Sequence, residues 1–242
     1  MEVAEDCRVV NLSSLLTSGK FSDLRLVCES REFSVHKAIL CSQSRVFNSA
    51  CEGNFEESRS NVIKIEEFKA DTVQRMLEFL YSGDYSVSQR ADWSSGDAER
   101  IDDESSEYDV LTQSLASNEF GSNKPAVAKK DILCWHLNAN AIGDYYDIKP
   151  LCTLARSKVE TAVEADWSPD DFLHLLTETC TTRKTGDVEF HRLLGQIISK
   201  RLEDLAGLQD LDGLDMPADI ATSVVVSSME RVRSLETKCM SE

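Results

Sequence analysis

The chain has 242 residues, in which 26 Lys and Arg stand against 43 Asp and Glu for a formal net charge of −17. So acidic a balance repels polyanions, which excludes nucleic acid and anionic membrane as expected partners. Hydrophobic residues make up 41% and charged residues 29%, the composition of a soluble folded core diluted by an acidic segment, in a chain long enough to hold that core without disulfides or metals.

No run reaches the ~20 apolar residues that cross a bilayer. The first residues, Met1-Glu2-Val3-Ala4-Glu5-Asp6, are acidic where a signal peptide is basic and then apolar. The expectation is an intracellular protein, in cytoplasm and/or nucleus, whose eight cysteines stay reduced and serve as small core residues. In such a compartment Asn11-Leu12-Ser13 is a turn or helix start rather than a glycosylation acceptor.

Residues 1–20 read as an N-terminal segment with a short helix. Residues 23–28 and 31–35 alternate apolar with polar around Glu29-Ser30, the pattern of a β-hairpin. From His36 to Cys51 the positions Ala38, Ile39, Leu40, Val46, Phe47 and Ala50 predict two short helices, the second capped by Ser42 or Ser44. Val62-Ile63-Lys64-Ile65 is a third strand. In residues 70–81, Val73, Met76, Leu77 and Leu80 fall at i, i+3, i+4 and i+7, an amphipathic helix that Gly83 ends.

Between residues 88 and 130 the apolar period disappears, and Asp92, Asp97, Glu99, Asp102, Asp103, Glu104, Glu107 and Asp109 crowd among serines. This segment reads as a disordered acidic insertion. Ser94 and Ser106 within it each precede an acid by three residues, a pattern that suits an acid-directed kinase. Helical patterning resumes at Asp131, runs through Tyr146, breaks near Pro150 and continues to about Ala165. A further stretch, 166–242, is expected to be a helical extension. In it Ser168 caps a helix opened by Pro169 with Phe172, Leu173, Leu175 and Leu176 on its apolar face; a long helix spans Val188 to Leu205; and a last one, opened by Pro217, carries a partial stripe of Ile220, Val224, Val232 and Leu235.

This order of strands and helices is α+β, a small sheet capped by helices. Phe21-Ser22-Asp23-Leu24, Phe33-Ser34-Val35-His36-Lys37-Ala38-Ile39-Leu40, Ser44-Arg45-Val46-Phe47, Phe55-Glu56-Glu57-Ser58 and Leu77 to Tyr85 (LEFLYSGDY) resemble, in order and spacing, the BTB/POZ domain. The stretch Ala139 to Leu151 is similar to the helix that follows in that family, although Asn140 stands where a Tyr is usual, Gly143 where an Ala is and Tyr145 where a base is, which implies a less rigid helix. The resemblance is to a fungal variety with an insertion. It implies a BTB/POZ fold in two parts, 21–87 and 131–165, separated by the insertion at 88–130, and it assigns structural positions to His36, Phe47, Tyr81, Gly83 and Tyr85.

The resemblance implies binding rather than catalysis. The sequence has no Gly-x-Ser-x-Gly, Gly-x-Gly-x-x-Gly, Walker loop or His-Glu-x-x-His, and its ten glycines are scattered, so no enzyme, cofactor or metal is expected. Cys134-Trp135-His136 with Cys152 lacks the paired ligands of a zinc site; a buried Cys and a partly exposed His are expected there. Cys180, His174 and His191 have no spacing that requires a thiol-imidazole pair. His36 is expected to hold a backbone group with a ring nitrogen. Asp23 and Lys37 are either the charged pocket near a dimer face, with Leu12, Leu15 and Leu16 buried between two chains of a homodimer, or an ordinary ion pair orienting the hairpin.

In members of the family that bind a cullin, an apolar residue, any residue and then an acid follow the second helix. Phe55, Glu56 and Glu57 match that pattern, with the ring filling a pocket and a carboxylate fixing orientation. The resemblance thus implies an adaptor that self-associates and/or recruits a cullin-type ubiquitin ligase scaffold, the alternative being a self-assembling or transcription-associated scaffold with no ligase role.

Overall fold

The structure, a computed structural model, describes residues 12–53, 55–87, 128–182, 185–206 and 213–240. The polypeptide enters through α1 (Ser13–Ser18), which packs against a later helix and is tied there by the Leu12 amide donating to the Tyr81 carbonyl at 2.8 Å. The hairpin follows as β1 (Leu24–Cys28) and β2 (Arg31–Val35), antiparallel, with Leu26 opposite Phe33. Leu24, Leu26, Cys28, Phe33 and Val35 are buried and the residues between them face outward, the period of two read from the sequence.

Two helices, α2 (Lys37–Gln43) and α3 (Arg45–Glu52), leave the hairpin. Ser44 separates them: its hydroxyl accepts from the Phe47 amide at 3.1 Å, capping α3, and donates to the Tyr146 carbonyl at 2.6 Å. A short helix, α4 (Glu56–Ser60), comes next and ends on Asn61, whose φ of 55° lies in the left-handed region. The third strand, β3 (Val62–Ile65), runs parallel to β1, so the sheet order is β2-β1-β3. Across it lies α5 (Ala70–Ser82), which buries Val73, Met76, Leu77 and Leu80 and stops at Gly83 with φ of 80°, a conformation that costs glycine little.

The acidic stretch expected at 88–130, with Ser94 and Ser106, falls outside the described residues up to 127. Helix α6 (Lys129–Tyr145) begins two residues before Asp131. The break expected near Pro150 falls at residues 146–148, between α6 and α7 (Lys149–Ala165). Pro150 is the second residue of α7, where a missing N–H costs nothing, and Asp147 makes the turn at φ of 53°. The helices α8 (Pro169–Thr182), α9 (Val188–Lys200), α10 (Leu202–Leu205) and α11 (Ala218–Cys239) complete the chain. Ser168 accepts from the Asp171 amide at 3.3 Å as the expected cap. The single long helix expected over 188–205 is interrupted at Arg201, with φ of −117° and ψ of 25°.

Two apolar clusters result. One joins the sheet, α2, α3, α5 and the inner faces of α6 and α7; the other joins α6, α7, α8, α9 and the start of α11 around Phe172 and Phe190. Helix α6 belongs to both, through Ala139 and Ile142 on one side and Leu133 and Leu137 on the other. Gly143 permits the close approach of α7: a Cβ there would meet Cys152 Sγ at 3.0 Å and Leu151 at 3.2 Å. Of the expected last stripe only Ile220 is buried; Val224 is half-buried, and Val232 and Leu235 are exposed.

Candidate protein-interaction site

Helix α3 and the turn between α3 and α4 expose two apolar side chains, Val46 and Phe55. Helix α3 turns Phe47 into the core, where its ring stacks on Tyr146 at 4.3 Å. Its neighbour Val46 points outward and is 39% exposed, because successive helical residues differ by about 100°. Phe55 stands at the start of α4 as its N-cap residue, and Glu56 and Glu57 form the first turn, where their carboxylates face the positive end of the helix. Five largely polar residues give no readable period, which is why the sequence does not announce this helix.

Phe55 is 61% exposed. Its ring lies over Gly53, where a Cβ would come within 2.5 Å of the Phe55 ring carbons, so the glycine leaves room for the aromatic side chain. With Arg45, Val46, Ser49, Ala50 and Glu57 the ring lines a shallow groove. An apolar floor flanked by one cation and one anion suits a partner segment with its own anchor and charges. The sequence singled out Phe55, Glu56 and Glu57 but not Val46 and Arg45, whose outward direction depends on which side of α3 the core takes.

The family positions fall inside. His36 Nε2 stands 2.7 Å from the Lys20 carbonyl, which can only accept, so that nitrogen carries the proton; Nδ1 then accepts from the Tyr81 hydroxyl at 2.7 Å. The same hydroxyl accepts from the His36 amide at 2.9 Å. Burial pushes the Tyr81 phenol up to about 12, so it keeps its proton for this junction of β2 and α2. Phe47 and Tyr85 are likewise buried.

Asp23 and Lys37 do not pair through their side chains. Asp23 Oδ1 accepts from the Lys37 backbone amide at 2.7 Å, and the Lys37 ammonium instead donates to Asn61 Oδ1 at 2.5 Å. The carboxylate holds an otherwise unsatisfied first-turn N–H of α2, a stronger local demand than a second charge. Asp23 is exposed, and Leu12, Leu15 and Leu16 are half-buried against the first cluster.

The Cys134–His136 stretch is reversed from expectation: Cys134 is half-buried and His136 is 3% exposed. His136 Nδ1 meets the Tyr85 hydroxyl at 2.8 Å. Burial, then the Lys158 and Arg75 charges, lower its pKa to about 4. Arg75 in turn stacks on Trp135, its guanidinium 4.4 Å from the ring centroid. Burial, then the Asp187 and Asp144 charges, raise the Cys152 thiol to about 12, so it stays protonated. Cys28 and Cys180 are buried, Cys41 and Cys51 half-buried and Cys239 exposed. His174 is exposed and His191 buried, and no group of three metal-ligating side chains is gathered among the described residues.

Asn140 of α6 has its side chain satisfied by hydrogen bonds. It is fully buried, its amide donates to Asp187 Oδ2 at 2.8 Å, and its carbonyl accepts from Thr185 at 2.7 Å. Asp187 caps α9 through the Glu189 amide and receives Arg156 at 2.5 Å. Burial pushes its carboxyl up, but the Asn140 and Arg156 hydrogen bonds outweigh that and hold it below the usual carboxylate range. Asn140, where the resemblance expected a Tyr, thus ties α6 to Thr185 and to the start of α9.

Residues 12–101 match the family model of the BTB/POZ domain. Among solved structures the chain is similar to the BTB domain of zebrafish PATZ1, at 13% identity over 63% of this chain and 88% of that one, with a TM-score of 0.38. The three-stranded sheet, its helical cap and the family match over residues 12–101 make this a chain that carries a BTB/POZ domain, a protein–protein interaction module.

Proposed function

We propose that the chain is an intracellular adaptor, in cytoplasm and/or nucleus, that self-associates through the α1 side and recruits a cullin-type scaffold through Phe55, with Glu56 and Glu57 at the rim. The observation that carries the reading is the exposed Phe55 ring beside Val46, between Arg45 and Glu57. An aromatic side chain offers about 200 Å². Burying the exposed part, on the order of 120 Å² at about 25 cal/mol per Å², is worth about 3 kcal/mol.

The test is cullin binding by the full chain and by Phe55→Ala, read by calorimetry beside a thermal melt. Loss of affinity on the order of 100-fold with little change in melting temperature is expected. A large fall in stability would make Phe55 a core residue, and unchanged affinity would make the motif coincidental. Glu57→Lys should slow association more than it speeds dissociation. If the unaltered chain binds no cullin, a scaffold without a ligase role takes the adaptor's place.

A further inference from the structure

Helix α11 has two faces with opposite fates. One lies on α9: Ile220 is fully buried, the Ser223 hydroxyl donates to the Arg192 carbonyl at 2.9 Å, and Arg231 donates to the Ser199 carbonyl at 2.9 Å. The other carries Ala218, Thr222, Val225, Met229, Val232 and Glu236, all exposed. Their spacing, four then three throughout, is the repeat with which one helix seats its side chains between those of another. Four of these six are apolar, and an apolar stripe of this kind left in water marks an interaction surface.

We propose that this outward face pairs antiparallel with α11 of a second copy of the chain. Charge chooses the partner and the direction. A parallel pair would stack Glu236 on Glu236 in the seam. An antiparallel pair with Val225 opposite Met229 sets Thr222 opposite Val232 and Ala218 opposite Glu236. Each Glu236 carboxylate then meets the N-terminal end of the other helix, where the dipole favours an anion. In the same register Asp219 of one copy lies beside Arg233 of the other, at both ends, and Val226 lies beside Val226 at the two-fold axis. Within one chain Asp219 and Arg233 are 14 residues apart along the helix, roughly 21 Å, and do not pair. Asp219 lies 3.6 Å from His191 of its own chain yet keeps 55% of its side chain exposed.

This pairing is separate from the groove at Phe55 and from α1, and two readouts on the full chain test it. In sedimentation equilibrium, Val225→Glu with Met229→Glu should halve the particle mass of the parent while leaving the far-ultraviolet circular dichroism unchanged. In a Cys239→Ser background, Val226→Cys should form an interchain disulfide with mild peroxide, two thiols giving up two electrons and two protons while the peroxide is reduced to water. Val225→Cys, which faces Met229 of the other copy, should not link to itself. Assembly through α1 alone moves neither readout. Unchanged mass in the double variant means that another occupant, or none, covers the face and overturns the proposal. Self-linking at Val225→Cys with none at Val226→Cys means parallel helices and overturns it equally.

Discussion

Mild acid should loosen this protein through one histidine. In the folded chain His136 has its pKa lowered from 6.5 to about 4, first by burial and then by Lys158 and Arg75. A histidine set free by unfolding takes up a proton near 6.5, whereas the folded one resists until about 4. Between those values the unfolded state binds more protons, so stability is fully present above pH 6.5 and is lost as the pH falls toward 4. The slope approaches 1.4 kcal/mol per pH unit, which gives a loss of about 2 kcal/mol between pH 7.5 and 5 and roughly 3 kcal/mol once both states are protonated. Because a net charge of −17 adds its own pH dependence, the informative quantity is a difference. Urea unfolding of the parent and of His136→Asn, which keeps a partner for the Tyr85 hydroxyl, should be compared from pH 4.5 to 8. The gap between the two should change by about 2 kcal/mol in favour of the variant on going from pH 7.5 to 5. A gap that stays constant across this range would refute the argument that His136 is held neutral.

Gly195→Ala should undock α11, since a Cβ there would come within 2.5 Å of Ser223 Cβ and 2.9 Å of the Ile220 carbonyl. Crowding of this kind costs about 1–3 kcal/mol, read by thermal melts and faster amide exchange in α11, and Ser223→Gly should restore part of the loss. Asp187→Ala removes the α9 cap and the partner of Asn140 and Arg156, so unfolding by urea should show a loss of about 3 kcal/mol; a loss under about 1 kcal/mol would mean that the network is replaced by water at little cost.

Much of the fold is legible because neighbours along the chain fix it. The alternation in β1, β2 and β3, the period of α5, the glycine stop at residue 83, the Ser44 cap and the Ser168-Pro169 start each depend on a few adjacent residues and backbone geometry. Phe55 and Glu57 could be singled out for the same reason, as a bulky apolar residue in polar company. Periodicity states which residues share a face but not what covers that face. Val232 and Leu235 looked like core and stand in water because α9 ends at Lys200, beside Arg231, and every described residue of α11 from Met229 onward is exposed. His136 looked partly exposed and is sealed by Tyr85, 51 residues away in sequence. Asn140 looked like a weak point of α6 and is satisfied by Thr185 and Asp187, 45 and 47 residues on. A polar side chain becomes a support or a defect only when distant backbone brings its partner within hydrogen-bonding distance, and that choice belongs to the tertiary structure.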